Sequence, residues 1–100
     1  MIPLSMEQKM DMQKITDWYL KHNKDQQILY CIQELSELIQ QLSKVELGIS
    51  NNEKVYEDLF DAYWTIGQIY QMLVTDLEDT ALFNKIVSTQ IDRSMKRLNL

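Results

Sequence analysis

Residues 33–44 read QELSELIQQLSK, and within this Leu-rich run Glu34 and Glu37 stand three apart. Further along, residues 58–61 read DLFD and place Asp58 and Asp61 at the same spacing. On a helix, side chains three apart share one face with Cβ atoms about 5–6 Å from each other, so each pair is a two-pronged carboxylate. One such pair is ordinary on a solvated face, but two matched pairs on successive helices raise the prospect of a shared site. Two like charges 4 Å apart repel by about 4 kcal/mol at an effective dielectric near 20. Four converging carboxylates therefore need protons or a divalent cation. The ligands would all be oxygen, which selects a hard ion, Mg²⁺ or Mn²⁺, over zinc.

The elements that would hold these acids follow from turn chemistry. Two Gly and one Pro in 100 residues leave few places to turn and favour long helices over sheet. Ser5 with Gln8 reads as a capping box that opens a helix over about 6–21. HNKD, residues 22–25, breaks it, and Asn23 or Asp25 can cap a second helix over 25–47 that stops at Gly48. Ser50 with Glu53 reads as another capping box, opening a third helix over 52–77. EDT, residues 78–80, closes that helix, and a fourth runs over 80–97. Apolar residues recur at helical spacing: Ile28, Ile32, Leu35, Ile39 and Leu42, with Cys31, Leu38 and Val45 beside them. In the third helix the series is Tyr56, Leu59 or Phe60, Tyr63, Ile66, Tyr70 and Leu73. These stripes predict the core. Gly67, in mid-helix, costs about 1 kcal/mol relative to Ala, which is tolerable if it permits a close helix approach. The expectation is an all-α, four-helix bundle-like single domain over residues 1–100, with a dimer interface.

Bulk composition excludes several classes. A formal charge of −5 disfavours nonspecific attraction to nucleic acid or anionic lipid. No apolar run approaches the roughly 18 residues of a membrane span, and the N-terminal residues turn polar too soon for a signal peptide. A lone Cys31 offers no disulfide framework and suits a reducing cytoplasm. Hydrophobic residues make up 45%, generous for a monomer of this length. His22 is read as a solvated loop residue, Cys31 as core, and Tyr63 and Trp64 as packing residues rather than a nucleobase platform.

These features together resemble the MazG-like, all-α nucleoside triphosphate pyrophosphohydrolases, especially small single-domain members of phages and Gram-positive bacteria. The family pattern is Glu-Glu-x-x-Glu, a spacer, then Glu-x-x-Asp. Here the halves read QELSE and DLFD, and the resemblance extends from about Gln27 to Leu98. It implies a helical bundle assembling as a dimer or dimer of dimers, Mg²⁺ held by Glu34, Glu37, Asp58 and Asp61, and cleavage of a nucleoside triphosphate between its α and β phosphates. It also implies that Lys44 and Arg93 contact phosphates, and that Glu34 and Glu37 are the catalytic acids. Whether Glu34 is ligand or base stays open. Gln33, Asp58 and Gln90 depart from the family's Glu, Glu and Lys. A catalytically degenerate nucleotide-binding or metal-binding relative, and a helical interaction protein with solvated acids, are the alternatives.

Overall fold

The computed structural model describes residues 2–100 as four α-helices: α1 (Met6–His22), α2 (Gln27–Glu46), α3 (Asn52–Leu73) and α4 (Leu77–Leu98). A 3₁₀ turn, Lys24–Gln26, joins α1 to α2, and no strand occurs among the described residues. The chain is all-α. It divides into two compact units, one ending at Tyr70 and the other spanning Gln71–Leu100.

Local chemistry accounts for the ends of the helices. Ser5 Oγ accepts from the Gln8 amide at 3.0 Å while Gln8 Oε1 accepts from the Ser5 amide at 2.8 Å, the expected reciprocal box. At the end of α2, Gly48 takes φ +74°. Its amide donates to Val45 O and the Ile49 amide to Lys44 O, so two otherwise orphaned carbonyls are satisfied in a Schellman motif.

At three helix starts the cap or the boundary differs from expectation, although α3 begins at Asn52 as expected. Neither Asn23 nor Asp25 caps α2: the chain enters through the 3₁₀ turn with Gln26 already in helical backbone, and no side chain caps it. The third helix is capped by Asn51, not Ser50. Asn51 Oδ1 accepts from the amides of Glu53 and Lys54 at 3.0 and 3.4 Å, the geometry of an N-cap asparagine. Finally, α3 stops at Leu73 rather than 77, and Glu78–Thr80 belong to the first turn of α4. Asp76 explains this: in extended backbone, its carboxylate accepts from the Asp79 amide at 2.7 Å, starting a new helix where continuation was expected.

The interior of the first unit reverses the expected pattern. Its buried polar residues are Thr16, Gln27, Gln41, Asp58, Thr65 and Gln68, with Ala62 the single buried apolar side chain among the described residues. Gln27, Glu34 and Gln41 recur every seven residues along α2, and Asp58, Thr65 and their neighbours do so along α3, so polar side chains form the inward seam. Meanwhile Ile28, Ile32, Ile39, Leu42, Tyr56, Leu59, Tyr63, Ile66 and Leu73 are exposed. The helical period was right; the side of it that turns inward was not. Cys31, Leu35 and Leu38 are half-buried, and burial pushes the Cys31 thiol up.

Gly67 does not mediate a close approach, because a Cβ built there meets nothing within 4 Å. With ordinary helical backbone and open space, Gly67→Ala is expected to stabilise the fold by about 0.5–1 kcal/mol, read as a higher urea midpoint at unchanged m-value. A lower midpoint would show that this face is covered in solution.

The second unit centres on α4. Its dipole is matched by Glu78 and Asp79 in the first turn and Lys96 and Arg97 in the last. Asn99, at φ 57°, closes it. No α4 residue is buried, and Ile86, Ile91, Met95 and Leu98 are all exposed. Most helical stability in proteins comes from packing an amphipathic face, which suits this apolar stripe to a covering surface.

Candidate functional site

Glu34 and Glu37 lie near the middle of α2, and Asp58 and Asp61 near the start of α3. They come within electrostatic reach of one another: Glu34 is influenced by Glu37, Asp61 and Asp58 together. Asp58 is fully buried, Glu34 and Asp61 are half-buried, and Glu37 is exposed.

The electrostatics are those of crowded acids. Burial, followed by repulsion from Glu37, Asp61 and Asp58, raises the Glu34 carboxyl above its ordinary range. Burial and then Asp58 raise Asp61 as well. Glu34 Oε2 and Asp58 Oδ2 are buried with no hydrogen-bond partner, a state that costs roughly 1–3 kcal/mol per group, more for charged ones. Asp58 Oδ1 has partial compensation, since Lys54 Nζ lies 3.1 Å away, an ion pair rather than a well-directed hydrogen bond.

Unanswered lone pairs on an all-oxygen set suit a hard divalent ion. The arrangement is not a ready-made metal centre, however: among the described residues, no three Asp, Glu, His or Cys side chains are gathered closely enough to hold one. The donors fit in chemistry, and the ion would have to draw them together.

Glu34 and Asp61 also line a cavity of about 560 Å³, whose other walls are Ile15, Tyr19, Gln27, Tyr30, Trp64, Thr65 and Gln68. Its far side is braced across α1 and α3 by Thr16 Oγ1, which accepts from Trp64 Nε1 at 3.0 Å and from Gln68 Nε2 at 3.3 Å. Tyr19 and Tyr30 meet edge to face with centroids 6.5 Å apart, and Tyr30 donates to Gln26 Oε1 at 3.2 Å. Gln27, only 1% exposed, has an Oε1 without a partner. The cavity lining thus includes aromatic surface, a glutamine with an unsatisfied amide oxygen and two carboxylates.

Several of these residues carried a signal that went unread. Gln27 sits seven residues before Glu34 and so on the same face, and Lys54 sits one turn before Asp58. Trp64, read as packing, lines the cavity, whereas Tyr63 is 42% exposed. The contribution of Thr16 left no local trace, since its partners are 48 and 52 residues away. His22 is exposed, stacked on Trp18 with centroids 4.7 Å apart, and its Nδ1 lies 2.9 Å from Trp18 O, which requires the proton on Nδ1.

The basic candidates are not part of this cavity wall. Lys44 is exposed in the last turn of α2. Arg93 is exposed on α4, in the second unit. No helix is long and apolar enough to cross a membrane among the described residues. Comparison with protein-family models, curated proteins and solved structures found no match for this chain.

Proposed function

We propose that the chain is a Mg²⁺-dependent, MazG-like nucleoside triphosphate pyrophosphohydrolase, converting a (d)NTP and water to a (d)NMP and pyrophosphate. One observation carries the reading: Glu34 and Asp61 belong both to the acid cluster and to the wall of an aromatic, amide-bearing cavity. On this reading, a site for polyphosphate would adjoin a recess suited to a flat, polar-edged ring.

A bound Mg²⁺ would supply neutralisation of triphosphate charge and polarisation of a phosphoryl oxygen. Glu37, Asp58 and Asp61 are the side chains to hold it. Glu34, with an unpartnered oxygen and a raised affinity for protons, is suited to take the proton of the attacking water. Tyr19, Tyr30 and Trp64 would hold and desolvate the base. The phosphate roles of Lys44 and Arg93 rest on the family resemblance alone.

Self-association into a bundle-like dimer or dimer of dimers belongs to the same proposal. Its support is the exposed apolar stripes of α2, α3 and α4, which are wider than a solvated surface needs.

Pyrophosphate release from a panel of (d)NTPs with Mg²⁺, beside Glu37→Gln, tests the activity. Release from at least one substrate, falling about 100-fold or more in the variant, is expected. No release from any of them, or equal release from the variant, refutes it. The second reading, a binder without turnover, is favoured by the ungathered carboxylates and by Gln33 at the family's first Glu. Saturable calorimetric binding of Mg²⁺ and nucleotide without pyrophosphate release would identify it.

A further inference from the structure

One member of the acid cluster is not an acid. Lys54 lies one turn before Asp58 on α3, with Nζ 3.1 Å from Asp58 Oδ1 and 4.0 Å from Glu57 Oε2. Its ammonium also acts on Glu37, and it offsets part of the repulsion felt by Glu34 and Asp61. A single lysine therefore pairs directly with Asp58 and partly offsets the charge of the other acids. Asp58, at 0% exposure, is the group that needs it most.

The pairing is strong enough to fill the position and loose enough to be lost. Half of the Lys54 side chain is solvent-exposed, and a lysine head on a four-carbon stem can move into water without disturbing the backbone. A hard divalent ion seeks the same carboxylate, whose Oδ2 is unpartnered. An ammonium at Oδ1 and a dication at one carboxylate repel each other, so each weakens the hold of Asp58 on the other.

We infer that Lys54 is the resident counter-cation of this site and competes with the divalent ion for Asp58. The inference rests on the metal-site reading above and deepens it: Lys54 weakens the hold on free metal ion while keeping the empty acid cluster folded.

Calorimetric titration of nucleotide-free protein with Mn²⁺ and with Mg²⁺ tests this, using wild type, Lys54→Met and Lys54→Arg. Lys54→Met is expected to bind metal about three- to fivefold more tightly than wild type, the upper scale of one partly exposed charge pair. Lys54→Arg, which keeps the charge, should stay within about twofold of wild type on the same scale. Metal binding by wild type with equal or weaker binding by Lys54→Met overturns the competition and leaves the metal reading standing. No binding by any of the three overturns both.

Circular dichroism melts give a readout independent of affinity. In EDTA, Lys54→Met should melt below wild type, and millimolar Mg²⁺ should raise its melting temperature by more than it raises that of wild type. An equal rise in the two proteins counts against competition. Should Lys54→Met fail to fold without metal, Lys54→Gln, an uncharged donor, carries the same comparison with the same expected order.

Discussion

Replacing Glu34 with Gln should slow pyrophosphate release by about 100- to 10,000-fold, the usual range for loss of a positioned base, while raising the melting temperature. The two effects have one cause. Glu34 sits half-buried beside three other carboxylates with one oxygen unsatisfied, which suits proton abstraction and strains the fold. An amide removes the charge and can donate to the neighbouring acids. Relief of roughly 1 kcal/mol corresponds to about 4–8 °C for a domain of this size.

The same logic fixes the sign of the pH dependence. The folded-state affinities of Glu34 and Asp61 for protons are both raised, first by burial and then by like charge. The folded chain therefore binds more protons than the unfolded chain above the ordinary carboxylate range of about 4. Stability must then fall as pH rises through the raised values. Wild type, without metal, should melt at a lower temperature at pH 7 than at about pH 5, and Glu34→Gln with Asp61→Asn should flatten that slope. A slope of opposite sign, or a variant no more stable at pH 7, contradicts the account.

The second large effect concerns the brace behind the cavity. Thr16, 2% exposed, accepts from both Trp64 Nε1 and Gln68 Nε2. Thr16→Val preserves shape but removes the only oxygen serving those two donors in this brace. Leaving buried donors unanswered costs about 1–3 kcal/mol each, so a loss of about 2–3 kcal/mol is expected, since Trp64 is only partly buried. Urea denaturation measures it. Thr16→Ser, which keeps the hydroxyl, should recover most of the loss; a Val variant as stable as wild type would show that the brace carries no weight. Weaker nucleotide binding is expected to accompany the Val change, because Trp64 and Gln68 line the cavity.

What the amino-acid order determined here was local. Four helices, the Ser5–Gln8 box, the Gly48 terminus and the three-residue spacing of both acid pairs are interactions within a turn or two. Neighbours in sequence suffice to specify them. Where a nearer competitor existed, local reasoning chose wrongly: Asn51 took the cap assigned to Ser50, and Asp76 opened α4 where α3 was expected to continue.

Tertiary structure decided which face of each helix turned inward. Periodicity identifies a stripe but not what lies opposite it, and the opposing residues here come from a different helix. Gln27, Glu34, Gln41, Asp58 and Thr65 form the seam, and Ile32, Ile39, Tyr63 and Ile66 do not. Burial then gave meaning to pairs that spacing alone leaves ordinary. Lys54 and Asp58 would be a routine surface pair one turn apart, worth a few tenths of a kcal/mol. With Asp58 removed from water, the same pair supplies a partial counter-charge to the acid cluster.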